Sequence, residues 1–219
     1  MTDKTLAQVP LSFLDYRVIY REPIFDVEKL ESEAARAVFL AFREWNVTLE
    51  NVSFKEDAAN LNEVSTYFTL LGGRFVFSIG VGASGLFVTN PSWSEADLVA
   101  RIANAGAAAV EKTTGAVVEK QVVNVWMHLK PASGSIRDFA SHLVQLNASP
   151  VPNLKIRSYG VAIYSDDSTW VVDASTVYPD ALFVRIQRTF GSGVPLDKII
   201  AQLNADETKI LELLRLEVE

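Results

Sequence analysis

The sequence predicts an α+β protein, in which a mainly antiparallel sheet has helices packed on one of its faces. Segments of strand-like and helix-like apolar periodicity alternate along the chain. Gly72-Gly73 separates two apolar runs, which is typical of a tight hairpin between antiparallel strands. The order strand–helix–three strands–helix occurs twice, over residues 11–115 and 116–219. We therefore expect two similar halves, related by an internal duplication, in one continuous globular unit.

The first half begins with a strand and a helix. Leu11–Tyr20 alternates apolar and polar residues, which predicts a strand. Asp26 is placed to cap a helix whose apolar residues recur every three or four positions as far as Trp45. Val47–Lys55 is then predicted as a strand and residues 57–62 as a polar loop.

The hairpin around Gly72-Gly73 carries the clearest local signal, because pairing Leu71 with Arg74 fixes the register of both strands. Nearly all pairs on one face are then apolar, whereas the other face is more polar. The first set is Leu70 with Phe75, Phe68 with Phe77, Thr66 with Ile79 and Val64 with Val81. The second set is Tyr67 with Ser78 and Ser65 with Gly80. A helix follows from Ser92, which has capping-box spacing to Glu95, and Gly115 ends it.

The second half repeats this order of elements. Its predicted segments are a strand over Val117–Leu129, a short helix from Ser135 to Leu146, a loop at residues 150–152, strands over Lys155–Tyr164, Thr169–Val177 and Leu182–Thr189, and a final helix. Pro195 suits the first position of that helix, and Asp206 is expected to cap its continuation through Leu214.

Composition and charge exclude several classes of function. The 27 acidic residues outnumber the 20 basic ones, giving a net charge of −7, which disfavours nucleic acid as a partner. The absence of cysteine removes thiolate nucleophiles, disulfides and iron–sulfur clusters, and it fits a reducing compartment. With only two histidines, His128 and His142, a His-rich metal site within the chain is impossible. We expect no metal and no cofactor.

Two further features bear on localisation. The amino terminus lacks the basic and apolar regions of a signal peptide. The uncharged stretch between Arg74 and Glu95 carries too many polar residues, glycines and a proline for a membrane span. The sequence therefore predicts a cytoplasmic protein without a membrane partner.

Two short motifs have simple structural explanations. Gly80–Gly85 matches a dinucleotide-binding pattern, but strand-like residues follow it where a helix is required. We interpret it as a bend or turn that binds no dinucleotide. Asp166 and Asp167 suit a hairpin turn better than a metal site. Asp173 and Arg185 are predicted to form a cross-strand ion pair.

The candidate binding residues share a predicted sheet face. Alternation places Asn124, Trp126 and His128 together, with Val125 and Met127 turned the other way. His128 could be a general base, but the sequence favours a surface histidine beside the indole ring. The full set of candidate binding residues is Asn124, Trp126, His128, Tyr67 and Arg185. Aromatic groups among polar ones are typical of protein interfaces.

We therefore predict a non-enzymatic protein-binding or assembly module, such as an adaptor, inhibitor, immunity protein or chaperone-like module. Its partner would be another protein or, most simply, a second copy of the chain in a twofold dimer. Two alternatives stay open. The 12 Phe, 4 Trp and 6 Tyr residues could line a ligand cavity between sheet and helices. An enzyme could also assemble a site from dispersed Asp, Arg and Tyr residues.

Overall fold

The computed structural model describes residues 4–27, 32–55, 64–141 and 160–218. They form an α+β structure with a mostly antiparallel sheet of ten strands, as the sequence predicts. The chain divides into two compact units. The larger unit comprises Phe13–Val123 and Thr189–Ile200, and the smaller unit comprises Met1–Ser12, Asn124–Arg188 and Ala201–Glu219.

The larger unit contains most of the first half. Its elements are the latter part of β1 (Thr5–Tyr20), α1 (Glu33–Ala41), β2 (Val52–Lys55), β3 (Ser65–Leu70), β4 (Phe75–Gly80), β5 (Ala83–Thr89) and α2 (Ala96–Thr114). The strands lie in the order β2-β3-β4-β5-β1, and each neighbouring pair is antiparallel.

The predicted register of the hairpin is confirmed, because Phe68 pairs with Phe77 and Tyr67 pairs with Ser78. The turn itself is longer than predicted. Leu71, Gly72 and Gly73 form a short 3-10 turn and have φ values of 51°, 70° and 89°. Two glycines accept this left-handed geometry easily, whereas Leu71 adopts it as a non-glycine residue.

One face of this sheet is a packed aromatic core. Phe42 packs edge-to-face against Phe68 and Phe77, with ring centroids 5.9 and 5.2 Å away. Gly106 of α2 lies directly against this cluster, because a β-carbon there would be 2.5 Å from the ring of Phe77. The glycine therefore lets α2 approach β4 closely.

Three details of the first half differ from the prediction. Helix α1 begins at Glu33, and its cap is Ser32, whose hydroxyl oxygen accepts from the Ala35 amide at 3.1 Å, rather than Asp26. The strand predicted over Val47–Lys55 is shortened to β2, because residues 49–51 form a 3-10 turn. β5 adds a fourth strand between the two helices. The predicted loop at residues 57–62 lies outside the described residues.

Helix α2 follows its end signals closely. The Ser92 hydroxyl caps a 3-10 turn over Trp93–Glu95, which leads into the helix. Gly115 ends it with a φ of 68°, as predicted.

The smaller unit contains most of the second half. The elements that contribute to it are β6 (Val118–Pro131), α3 (Ile136–Ser141), β7 (Val161–Tyr164), β8 (Ser168–Ala174), β9 (Leu182–Gly191), α4 (Leu196–Leu214) and β10 (Leu216–Val218). The strand order is β6-β9-β8-β7, and β10 pairs in parallel with the start of β1. His142, the loop at residues 150–152 and the start of the strand predicted from Lys155 lie outside the described residues.

The prediction that Asp206 caps a helix is wrong, because α4 continues through it without a break. Asp206 is only 3% exposed. Its carboxylate accepts hydrogen bonds from Arg188 and from the side-chain amide of Gln202. A buried ion pair, rather than capping, therefore accounts for an aspartate at this position.

Candidate functional site

The predicted binding residues are divided between the two units. Asn124, Trp126, His128 and Arg185 belong to the smaller unit, whereas Tyr67 belongs to the larger unit.

A polar network joins Asn124 to Arg185 on the sheet of the smaller unit. The Arg185 Nη2 donates to Asn124 Oδ1 at 3.0 Å and to Gln187 Oε1 at 2.5 Å. All three residues are half-buried. Within the described residues Arg185 makes no ion pair with Asp173, so the predicted cross-strand pair is wrong there. Asp173 Oδ1 instead accepts from the Ala174 amide.

Trp126 lies on the same strand face as Asn124, two residues further along β6. Its neighbours Val125 and Met127 are turned to the opposite face and are buried, as alternation predicts. Trp126 itself is half-buried. It is neither a fully exposed ring nor a core residue.

His128 is buried, at 5% exposure, and the interpretation as a surface histidine is wrong. Its Nδ1 lies 2.9 Å from the hydroxyl oxygen of Ser175. Its ring packs against Tyr178 and Phe183, with centroids 5.3 and 5.5 Å away. The loss of water around the ring lowers the pKa of His128 below its ordinary value.

The bonds of Ser175 decide which nitrogen of His128 carries the proton. The Ser175 hydroxyl oxygen accepts from the amides of Val177 at 3.1 Å and Tyr178 at 2.9 Å. A hydroxyl has two acceptor positions and one proton. Since two amides fill the acceptor positions, the hydroxyl proton points to Nδ1, and the neutral ring carries its proton on Nε2. Neutral His128 thus stabilises the turn between β8 and β9 through its hydrogen bond with Ser175.

Tyr67 lies on the face of the larger unit's sheet opposite the aromatic core. The strand register places four residues in one row across four strands: Arg17, Gly85, Ser78 and Tyr67. They line a depression with a volume of about 650 Å³. The sequence had already placed Tyr67 opposite Ser78 on this face, but it could not place Arg17 there.

The glycine segment Gly80–Gly85 also borders this depression. It spans the turn between β4 and β5, and strand β5 follows it, as the sequence predicts. The strand–turn–helix context of a dinucleotide site is therefore missing. A β-carbon at Gly85 would lie 2.5 Å from the carbonyl oxygen of Tyr16, so close backbone approach explains this glycine.

Of the two remaining acidic candidates, Asp167 has structural partners. Asp166 and Asp167 lie in the turn between β7 and β8, where Asp167 accepts from the Ser165 hydroxyl and from Arg188. In the described ranges, no three His, Asp or Glu side chains come together in a way that could hold a metal ion. No helix in the described part of the chain has the length and apolar character needed to cross a membrane.

Comparison of the chain with protein-family models and with curated proteins found no match.

Proposed function

We propose that the protein is a non-enzymatic assembly module that binds a second copy of itself. The contact surface would be the face of β6 and β9 that carries Trp126, Asn124 and Arg185. The observation that supports this is the combination of a half-buried Trp126 with the hydrogen-bonded Arg185 network beside it. Tryptophan, tyrosine and arginine are enriched among the residues that contribute most of the binding energy at protein interfaces.

The charges of this face favour a second copy as the partner. Arg185 pairs with Val171 of β8, while Asp173, two residues further along β8, pairs with Phe183. A cation and an anion therefore lie diagonally on one face, and the anion is exposed. Across a twofold axis, residue i meets residue j while j meets i, so Arg185 of each copy can face Asp173 of the other.

Sedimentation equilibrium of charge-reversal variants tests this arrangement. Arg185→Glu and Asp173→Lys should each weaken self-association at least tenfold, because each places like charges opposite one another. The double variant should recover most of the loss, since the reversed charges again face opposite ones. A double variant that associates no better than the single ones would exclude a twofold contact through these residues.

Trp126→Ala provides the second measurement. If Trp126 is an anchor of the interface, its loss should weaken association by about 2 kcal/mol or more. Its loss should change the folding midpoint of the monomer little. Phe25→Ala, at an exposed aromatic residue of the larger unit, is the matched control and should leave association unchanged. A collapsed folding midpoint with unchanged association would contradict the proposal.

Two further proposals concern origin and location. Internal duplication is supported by one shared topological feature: the opening strand of each half lies next to the last strand of its meander, β1 beside β5 and β6 beside β9. An experimental structure whose halves superimpose in that order would support it. The cysteine-free composition supports a reducing, cytoplasmic location, which fractionation of the host cell tests.

A further inference from the structure

We propose that the depression on the larger unit's sheet is a binding site for a small, flat organic anion. Its carboxylate or phosphate group would bind the guanidinium of Arg17, and its ring would lie over Gly85 and Ser78. This proposal and the proposal of self-association do not depend on one another.

The floor of the depression is built from the smallest side chains of the sheet. Gly85 pairs with Ser78. Gly80 and Ala83 occupy the neighbouring ends of β4 and β5. These four residues form a low block between taller side chains on either side. Because neighbouring strands lie about 4.8 Å apart, the three strand steps from Arg17 to Tyr67 span about 14 Å, enough for an aromatic ring.

Taller side chains enclose this floor. Tyr67 lies on β3, next to Ser78 on one side of the floor. Arg17 lies on β1, next to Gly85 on the other side. Phe87 stands at one end, where its ring packs against Phe13 with centroids 5.3 Å apart. The volume of about 650 Å³ is within the range of sites for small ligands.

Arg17 is held in place at only one of its nitrogens. Its Nε donates to both carboxylate oxygens of Asp15, at 3.1 and 3.0 Å. Asp15 is 8% exposed, whereas the Arg17 side chain is 58% exposed. In the described part of the chain, the two terminal Nη groups of Arg17 have no partner. Asp15 therefore orients the guanidinium and leaves its terminal fork available.

Gly85 leaves room for the first part of the Arg17 side chain at the edge of the floor. A β-carbon at position 85 would come within 3.1 Å of Arg17 Cγ. Without it, the aliphatic stem of Arg17 can rest against the backbone of β5. The guanidinium is thus kept beside the block of small residues.

Four residues with hydroxyl groups line the depression. The Ser84 hydroxyl bonds with that of Tyr20, which leaves the hydroxyls of Ser65, Tyr67 and Ser78. Among the described residues none of them has a hydrogen-bond partner. Four unused guanidinium N–H groups beside three unused hydroxyls favour a ligand with acceptor atoms. Arginine matches a carboxylate or phosphate with two parallel hydrogen bonds, and Phe87 and Tyr67 match an apolar ring.

Chemical-shift titrations test the site with three probes: benzoate, phenyl phosphate and inorganic phosphate. Benzoate and phenyl phosphate should shift the amide signals of Ser78, Gly80 and Gly85 in a saturable way. Inorganic phosphate should bind at least tenfold more weakly, because it lacks the ring that covers the floor. Inorganic phosphate that binds as tightly as phenyl phosphate would overturn the role of the floor.

Substitutions then test the role of the Arg17 guanidinium separately from that of the small residues of the depression. Arg17→Lys keeps the charge but loses the fork, and should weaken benzoate binding at least tenfold. The control is Arg101→Lys, at an exposed arginine paired with Glu44, which should leave binding unchanged. Equal effects of Arg17→Lys and Arg101→Lys would overturn the assignment to Arg17.

Ser78→Leu and Ala83→Leu fill the floor from the open face and leave Arg17 itself unchanged. Both should abolish the shifts caused by benzoate. Thermal melts check that each variant is folded, and the second variant provides the test if the first is not. Saturable shifts that persist in a folded, filled variant would overturn the proposal, as would the absence of saturable shifts with all three probes.

Discussion

Replacing His128 by Asn should remove a pH dependence of folding stability. His128 Nδ1 accepts a hydrogen bond from the Ser175 hydroxyl, because the amides of Val177 and Tyr178 fill the acceptor positions of that oxygen. A protonated ring has a hydrogen on both nitrogens and cannot accept. The amide oxygen of Asn occupies a position similar to Nδ1, accepts a hydrogen bond and does not titrate. His128→Asn is therefore the variant that keeps the bond and loses the titration.

The sign of the effect follows from the pKa of His128. Burial lowers this pKa in the folded protein. An unfolded histidine has a pKa of about 6.5. Below that pH the unfolded chain binds more protons than the folded one, so stability falls as pH falls towards the folded pKa. Above about pH 6.5 the contribution is fully present.

The described titratable groups near His128 in the fold lie on its own strand, on the neighbouring strands and in the turn. Tyr178 packs on the ring from the turn. Asp180 lies in the same turn, Asp173 on β8, Arg185 on β9 and Lys130 on β6. The part of β1 within the smaller unit, Thr5–Ser12, has no charged residue. The lowered pKa has desolvation as its cause.

The size of the effect follows from the lost hydrogen bond. A net hydrogen bond contributes about 1 kcal/mol, and leaving a buried group unsatisfied costs about 1–3 kcal/mol. We expect the wild type to lose about 1–2 kcal/mol more than His128→Asn between pH 7 and pH 5. Urea unfolding at a series of pH values measures this difference. Parallel stability curves for the two proteins would falsify the tautomer assignment, as would imidazole ¹⁵N shifts that place the proton on Nδ1.

Two further substitutions test the packing of each unit. Gly106→Ala gains about 1 kcal/mol of helix propensity but places a methyl group against Phe77. We therefore expect urea melts to show a net loss of about 1–2 kcal/mol in the free energy of unfolding. A stabilised variant would show that α2 can move away from β4. Asp206→Asn leaves the guanidinium of Arg188 without its buried partner and should lower the free energy of unfolding by about 3 kcal/mol. The control is Glu95→Gln, at the exposed pair with Arg74, which should hardly change the urea melt.

Local patterns predicted the elements whose partners are close in sequence. The register of β3 and β4 follows from one turn and an alternating pattern, and both predictions hold because each strand buries one face. Gly115 ends α2 because only a left-handed residue closes that helix end. Such signals act within a few residues and are visible in the sequence.

The candidate sites depend on partners that are distant in sequence. Ser175 lies 47 residues from His128, and no local pattern links them. The side chain of Gln121 accepts a hydrogen bond from the hydroxyl of Tyr16, 105 residues away. It also donates one to the carbonyl oxygen of Gly191, 70 residues away. Asp206 shows the reverse case: its local preference for a helix cap is overridden by Arg188. These contacts exist only once the strands are assembled.

The small residues of the depression have different physical explanations, and the difference supports a ligand site. Gly85 is required by packing, because a β-carbon there would meet the Tyr16 carbonyl oxygen at 2.5 Å. At Gly80 a β-carbon would lie 3.1 Å from the Ser65 hydroxyl oxygen and 3.3 Å from the backbone carbonyl oxygen of Val64, so packing contributes to the choice of glycine there as well.

Ser78 and Ala83 are half-buried on the same open face. Larger β-branched residues would stabilise strands at such positions, by up to about 1 kcal/mol each. Packing thus accounts for Gly85 and contributes at Gly80, and it leaves Ser78 and Ala83 unexplained. A floor kept low beside an oriented arginine is what a bound planar anion requires. If Ser78→Val stabilises the protein in urea melts and weakens benzoate binding, the small residue serves the ligand rather than the fold. If it destabilises the protein, packing accounts for Ser78 as well, and the floor ceases to be evidence for a site.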